Sequence, residues 1–210
     1  MQHNEGKIIE KFKEIKYQDG LILIEHIINN YDEDLIKGII GSLSKNKNKH
    51  TYEIYDYIIK NTDINYNTFI IYEMYCFIHL CASNRNIDLL NYLIKKKDVD
   101  INIKNNDGNE ETALMYASMY STKGLPIEII KILLDNNADP NLQNRFGETA
   151  LMYAIESSNM VSSNRISTIK VIKLLLENGA DINLQNIYGH TAYDLAKTEE
   201  CKKLIKSYMN

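Results

Sequence analysis

Two phrases alternate along the second half of this chain. The first is Thr112-Ala113-Leu114-Met115-Tyr116-Ala117. It returns as Thr149-Ala150-Leu151-Met152-Tyr153-Ala154 and, more loosely, as Thr191-Ala192-Tyr193-Asp194-Leu195-Ala196. The second is Ile129-Ile130-Lys131-Ile132-Leu133-Leu134-Asp135-Asn136-Asn137-Ala138-Asp139-Pro140-Asn141. It returns as Val171-Ile172-Lys173-Leu174-Leu175-Leu176-Glu177-Asn178-Gly179-Ala180-Asp181-Ile182-Asn183. Two phrases in fixed order mean a stacked array in which each unit packs on its neighbours. That replaces the one or two globular domains that 210 residues would otherwise suggest.

Each unit reads as two short helices. Thr112, Thr149 and Thr191 are placed to cap the first through their hydroxyls, and losing such a cap costs about 1 kcal/mol. Ala150, Leu151 and Ala154 give that helix a narrow apolar face. The second helix, Ile169 to Glu177, is apolar at Val171, Ile172, Leu174, Leu175 and Leu176. A lone solvated helix does not carry that much apolar surface, so both sides must be covered. Pro126 suits the first turn of the earlier counterpart, and Gly179 suits the end of the later one. Asp-x-Asn follows, then a turn closed by Gly147 or Gly189. Asp and Asn favour such turns because their side chains bond nearby backbone N–H groups. The threonine-to-threonine spacing exceeds the roughly 33 residues common in two-helix repeats. The surplus falls at Ser118 to Leu125 and at Glu156 to Thr168, and both inserts read as loops between the two helices of a unit.

Weaker copies lie upstream. Phe77 to Ala82 takes the place of a first helix, Ile87 to Ile94 of a second, and Val99-Asp100-Ile101-Asn102 closes that unit. Asp34 to Leu43 and Tyr57 to Asn65 sketch an earlier one. Lys7 to Lys16 and Leu21 to Asn30 match neither phrase and read as an N-terminal cap. Glu199 to Met209 reads as a capping helix, with Leu204, Ile205 and Tyr208 inside and Lys202, Lys203 and Lys206 outside. Array ends face water, so atypical ends are expected.

Composition narrows the function classes. A net charge of −4 with both signs mixed argues against a dedicated nucleic-acid surface. No apolar stretch reaches membrane-spanning length, and Met1 to Lys7 opens no signal core. The three cysteines have no framework spacing, which points to a reducing compartment. Cys76 and Cys81 read as small core residues. A soluble, cytoplasmic protein is expected. His3, His26, His50, His79 and His190 are scattered, with no metal-ligand spacing. Asp139 and Asp181 recur at one turn position, and recurrence points to structure, because a catalytic residue is needed once. With no matched constellation of nucleophile, base and oxyanion donor, neither enzyme activity nor a metal or cofactor is expected. The basic stretch Lys45 to His50 reads as a solvated loop.

These phrases resemble the ankyrin repeat, a β-turn plus two helices with a Thr-Pro-Leu-His-x-Ala signature. Thr, Leu and the final Ala match at 112–117 and 149–154, and Leu-Leu-x-x-x-Ala-Asp-x-Asn matches twice. The strong resemblance covers Asn105 to Ala196, and a weaker one reaches back to Asp32. The signature Pro is absent, and only His79 keeps the signature His, replaced elsewhere by Met115, Met152 and Asp194. In the family that histidine belongs to a polar network joining adjacent turns. The Asn-, Ile- and Lys-rich composition resembles members from AT-rich genomes of giant viruses, intracellular bacteria and protozoa.

The resemblance implies an all-α fold, an ankyrin-repeat solenoid of stacked helix–turn–helix units with short β-turn loops and a capping helix at each end. It implies an N-terminal cap at 1–31, a degenerate repeat at 32–66 and a repeat at 67–104. Repeats with inserts follow at 105–143 and 144–185, then a C-terminal capping repeat at 186–210. It also implies a non-catalytic, monomeric scaffold that binds a protein partner, with no nucleic acid and no membrane, through its turn tips and concave face. The equivalent tip positions are Asn106, Asp107, Asn109, Arg145, Phe146, Glu148, Ile187, Tyr188 and His190. Met119, Tyr120 and Glu156 follow the first helices on the same side. Phe146, Ile187 and Tyr188, with Arg145 beside them, resemble interface anchors, because a tight turn has little core to bury them. The competing reading packs them sideways on the next turn. Tyr116 and Tyr153 are expected between helices with their hydroxyls reaching water. Two other functions stay open. One is a host-directed effector or adaptor that recruits ubiquitin ligase or other host machinery, motivated by the Asn- and Lys-rich composition. Leu125-Pro126-Ile127-Glu128-Ile129-Ile130 resembles the opening of an F-box, but it aligns with the second helix of a repeat and reads as that helix. The other is an enzyme or small-ligand binder that uses the 156–168 insert.

Overall fold

The periodic apolar positions of the second phrase become one repeated helix face. In the computed structural model the described residues are 36, 57–58, 77–84, 86–95, 99–120, 127–160 and 165–209. They fall in two units, Met1–Val99 and Asp100–Asn210. Among them there is no strand, only a single antiparallel bridge between Lys104 and Thr112.

In the first unit, helix α1 spans Phe77–Asn84 and helix α2 spans Ile87–Ile94. Asn86 separates them, and its side chain accepts the Leu89 N–H at 3.1 Å, capping α2. Leu89, Leu90 and Leu93 are buried on α2, and His79, Leu80, Cys81 and Ala82 on α1. Burial pushes the Cys81 thiol pKa well up, which suits a core residue rather than a reactive one. Ile36 and Ile58 are also helical and buried. The expected N-terminal cap, most of the degenerate repeat, the Lys45 to His50 stretch and Cys76 lie outside the described residues.

The second unit holds α3 (Ala113–Met119), α4 (Ile127–Asp135), α5 (Ala150–Met160), α6 (Arg165–Glu177), α7 (Ala192–Leu195) and α8 (Glu199–Lys206). The first helices pack in a row, α3 on α5 and α5 on α7, and the second helices α4 and α6 pack on each other. The burial pattern of α2 recurs on α4 at Ile129, Ile130 and Leu133, and on α6 at Val171, Ile172 and Leu175. Each such side chain contributes roughly 1.5–3 kcal/mol relative to exposure. Thr112, Thr149 and Thr191 cap their helices by accepting the N–H of Met115, Met152 and Asp194. At the other end of α6, Gly179 takes φ +82°, Ala180 N–H reaches Leu175 O and Gly179 N–H reaches Leu176 O. Asn137, at φ +67°, fills the same role after α4.

Two expectations need correction. The 156–168 insert is largely helix: α5 continues to Met160 and α6 already begins at Arg165. Two of the serines that suggested a loop, Ser157 and Ser158, are buried and bonded. Ser157 Oγ donates to Met119 O at 2.9 Å, and Ser158 Oγ donates to Ile155 O at 2.6 Å and lies 3.3 Å from Cys201 Sγ. The neighbouring helices α3 and α8 supply surroundings that an isolated segment lacks, so the helix extends. The capping helix α8 ends at Lys206, and Tyr208 is 36% exposed rather than inside. Cys201 and Ile205 form its buried face instead. Acidic Glu199 and Glu200 at its start and Lys203 and Lys206 at its end suit the helix dipole.

Candidate functional site

The turns of the second unit are built on an asparagine that the tip positions above omit. Asn105, Asn144 and Asn186 are buried at equivalent places. Each donates its backbone N–H across the turn, to Glu111 O, Glu148 O and His190 O, at 2.8–3.0 Å. Asn144 Oδ1 also accepts the N–H groups of Phe146 and Glu148, both at 2.9 Å. Asn186 Oδ1 accepts those of Tyr188 and His190, both at 3.0 Å. A side-chain oxygen that holds two turn amides fixes the loop and presents the residues between them. The signal was present in the sequence: Asn141-Leu142-Gln143-Asn144 returns as Asn183-Leu184-Gln185-Asn186.

The tyrosines of the first phrase lock these turns. Asn105 Nδ2 donates to the Tyr116 hydroxyl at 3.2 Å, and that hydroxyl donates to Asp107 Oδ2 at 3.1 Å. Asn144 Nδ2 donates to the Tyr153 hydroxyl at 3.1 Å, and Tyr153 donates to Glu111 Oε1, one repeat earlier. Burial, and after it the Glu111 carboxylate, push the Tyr153 pKa well up, so this phenol stays protonated. Both hydroxyls are expected to reach water; Tyr116 is buried instead, Tyr153 is half-buried, and both bond turn side chains. Where the family signature has a histidine, Met115 and Met152 are buried; beside Met152, Tyr153 carries a polar link to the preceding repeat, while Tyr116 bonds within its own turn.

Adjacent tips are joined through the backbone. Arg145 N–H donates to Asn109 O, and Ile187 N–H donates to Phe146 O, both at 2.9 Å. The Arg145 guanidinium donates to Gly108 O at 2.6 Å and sits 5.3 Å from the Phe146 ring centroid. Asn109 is half-buried, and Asp107 Oδ1 accepts its N–H at 2.8 Å. The tip residues therefore divide. Asp107 and Arg145 work within the stack, while Phe146 and Glu148 are half-buried. Asn106 and His190 are exposed, and Ile187 and Tyr188 stand out at 60% and 72% exposure. The His190 ring lies 6.5 Å from that of Tyr188. Met119, Tyr120 and Glu156 are half-buried along the first helices, with Tyr120 stacked on Tyr116 at 6.3 Å. Burial, then the charge of Glu148, raise the Glu156 pKa, and Lys197 opposes them.

Among the described residues no cluster of three or more His, Cys, Asp or Glu is arranged to hold a metal ion, and no helix is long and apolar enough to cross a membrane. These turns form a row of hydrogen-bonded loops, with two large exposed side chains, Ile187 and Tyr188, at the last described tip.

Comparison with known proteins agrees with this architecture. The family model for ankyrin repeats (three copies) matches residues 24–144, 78–186 and 121–207. Alpha-latrotoxin-Lg1a of Latrodectus geometricus is 34% identical over 93 residues, 44% of this chain and 6% of that protein. An ankyrin repeat protein of Acanthamoeba polyphaga mimivirus is 37% identical over 94 residues, 45% of this chain and 16% of its own length. The chain thus spans a small part of the curated relatives it matches. Among solved structures, the ankyrin repeat domain of Bcl-3, a member of the IkappaB protein family, superposes with a TM-score of 0.64 at 14% identity. That match covers 80% of this chain and 67% of the other. It carries the fold alone. With the family model covering most of the sequence and the repeat geometry present, this chain belongs to the ankyrin repeat family.

Proposed function

We propose that this chain is a non-catalytic interaction module that binds a protein partner through its turn tips and the exposed side of its first helices. Ankyrin repeats are generally protein–protein interaction modules, and the observation that carries the reading here is the pair Ile187 and Tyr188. Both are large, apolar and exposed, on a loop held by Asn186 and by the Phe146 carbonyl. A preorganised loop loses little entropy on binding, so its apolar side chains contribute more fully to affinity. Arg145, Phe146, Glu148, Asn106, Asp107, Asn109 and His190 form the rest of the tip row, and Met119, Tyr120 and Glu156 extend it. The molecule works as a monomer in the cytoplasm in this reading.

The test compares wild type with a double Ile187→Ser, Tyr188→Ser variant as baits in lysate of the natural cell, then measures affinities for any captured protein. A partner whose affinity falls at least tenfold, about 1.4 kcal/mol, with an unchanged fold supports the surface. Unchanged affinity for every captured partner removes it. The adaptor reading gains little from the F-box-like phrase. Leu125 and Pro126 lie outside the described residues, and Ile129 and Ile130 are buried in α4, where the repeat core uses them.

A further inference from the structure

The asparagine that closes each Asp-x-Asn phrase acts as a clamp on the following repeat. Asn102 Nδ2 donates to Asn137 O at 3.1 Å, while Asn102 Oδ1 accepts the Asp139 N–H at 2.8 Å. Asn141 repeats this with Gly179 O at 2.9 Å and the Asp181 N–H at 2.7 Å. In both cases the carboxamide reads a carbonyl and, two residues on, an amide. The aspartate that supplies the amide is itself folded into a turn. Asp139 Oδ1 accepts the Asn141 N–H and Asp181 Oδ1 accepts the Asn183 N–H, both at 2.8 Å.

Asn183 is the third member of the series, and among the described residues no carbonyl and amide of a following turn close its clamp. Its Nδ2 turns back to its own Asp181 Oδ1 at 3.1 Å, in an exposed position. The segment of this chain that corresponds to 179–180 is Tyr208-Met209, because Tyr208 N–H bonds Ile205 O as Gly179 N–H bonds Leu176 O. That segment does not enter the clamp. It lines one side of a cavity of about 330 Å³ whose other residues are Ala180, Asp181, Ile182 and Asn183. Tyr208 and Met209 are 36% and 52% exposed there.

We propose that the Asn183 carboxamide and this cavity form a docking site for an aspartate-containing turn of a protein partner, a turn of the kind that closes the Asn102 and Asn141 clamps. The two occupied clamps define the ligand chemistry: a free carbonyl, then an aspartate whose folded turn presents its N–H. A second copy of this chain is a poor donor of its 179–181 turn, because Asn141 already holds Gly179 O and the Asp181 N–H. The site is separate from the Ile187–Tyr188 tip and does not rest on it.

The probe is the blocked hexapeptide Asn-Gly-Ala-Asp-Ile-Asn, the sequence of residues 178–183, titrated into the ¹⁵N-labelled full chain and followed by NMR. Saturable shifts of the Asn183 carboxamide and of the Tyr208 and Met209 amides are expected. They should weaken roughly tenfold or more in Asn183→Asp, which keeps the shape but loses the donor, and with a peptide whose Asp is replaced by Ala. The Ile187→Ser, Tyr188→Ser protein should bind the peptide as wild type does. No shifts at millimolar peptide, or equal binding by Asn183→Asp, overturns the proposal. Loss of binding in the tip variant with Asn183 intact overturns the location. Asn183→Ala serves as a second variant should the aspartate disturb the fold.

Discussion

Single residues set how closely the repeats approach. A Cβ on Gly147 would lie 2.9 Å from Asn186 Cα, in the next turn, and its φ is +73°. Gly179 has a similar φ of +82° but nothing within 4 Å. Gly179→Ala is therefore expected to cost about 1–2 kcal/mol, the left-handed strain alone. Gly147→Ala should cost clearly more, because the backbone of the next tip must also move. Urea unfolding of both variants checks this, and equal losses would show that the close approach is unimportant. Tyr153→Phe removes the donor to Glu111 and the acceptor of Asn144 Nδ2, leaving a buried carboxylate with one bond fewer. A loss of about 1–3 kcal/mol is expected in the same measurement. Ser118 shows the converse. Its Oγ is buried and has no hydrogen bond among the described residues, at the position where the next repeat has Ile155. Ser118→Ala should be neutral or stabilise by up to about 1 kcal/mol, read as a higher urea midpoint.

Elements are joined by the asparagine clamps. Asn141→Ala breaks two hydrogen bonds between consecutive repeats and should lower stability by about 1–2 kcal/mol. Asn183→Ala breaks only a bond within its own loop and should fall within about 0.5 kcal/mol of wild type. Equal effects in thermal melts would remove the distinction between a closed and an open clamp. At this scale the helices were legible. α2 has the expected bounds, and the buried faces of α4 and α6 follow from the leucine and isoleucine spacing. The length of α5 was not. Ser157 and Ser158 look like loop residues until Met119 O and Cys201 arrive from other elements to accept or shield their hydroxyls.

At the largest scale, stability integrates the carboxylates whose pKa values folding shifts, Glu156 and Asp194 of the second unit. Glu156 has a folded pKa above its unfolded value, chiefly from burial and then from Glu148. The folded state thus holds its proton more tightly, and stability falls as pH rises from the unfolded to the folded pKa. Asp194 runs the other way. The Thr191 hydroxyl and N–H lower its pKa, so its stabilisation is present above the unfolded value and fades as pH falls through the folded one. Glu156→Gln should raise the melting temperature at neutral pH and flatten the profile above the usual carboxylate range, leaving the acid limb due to Asp194. A variant profile parallel to wild type at every pH would contradict this assignment. The same substitution alters the proposed partner surface, so its effect on binding is expected to be separable from the tip variants by its pH dependence.

Sequence alone determined the repeat, the buried faces of α4 and α6, the capping threonines and the turn glycines, because each depends on spacing within one unit: an apolar period, a threonine cap, a glycine at positive φ. Tertiary structure decided which polar groups meet. Tyr153 reaches a glutamate one repeat back, Asn141 reads the backbone of the repeat ahead, and Ile187 and Tyr188 are left exposed while Phe146 is partly covered. Those outcomes depend on the offset between stacked units, and no single unit contains that offset.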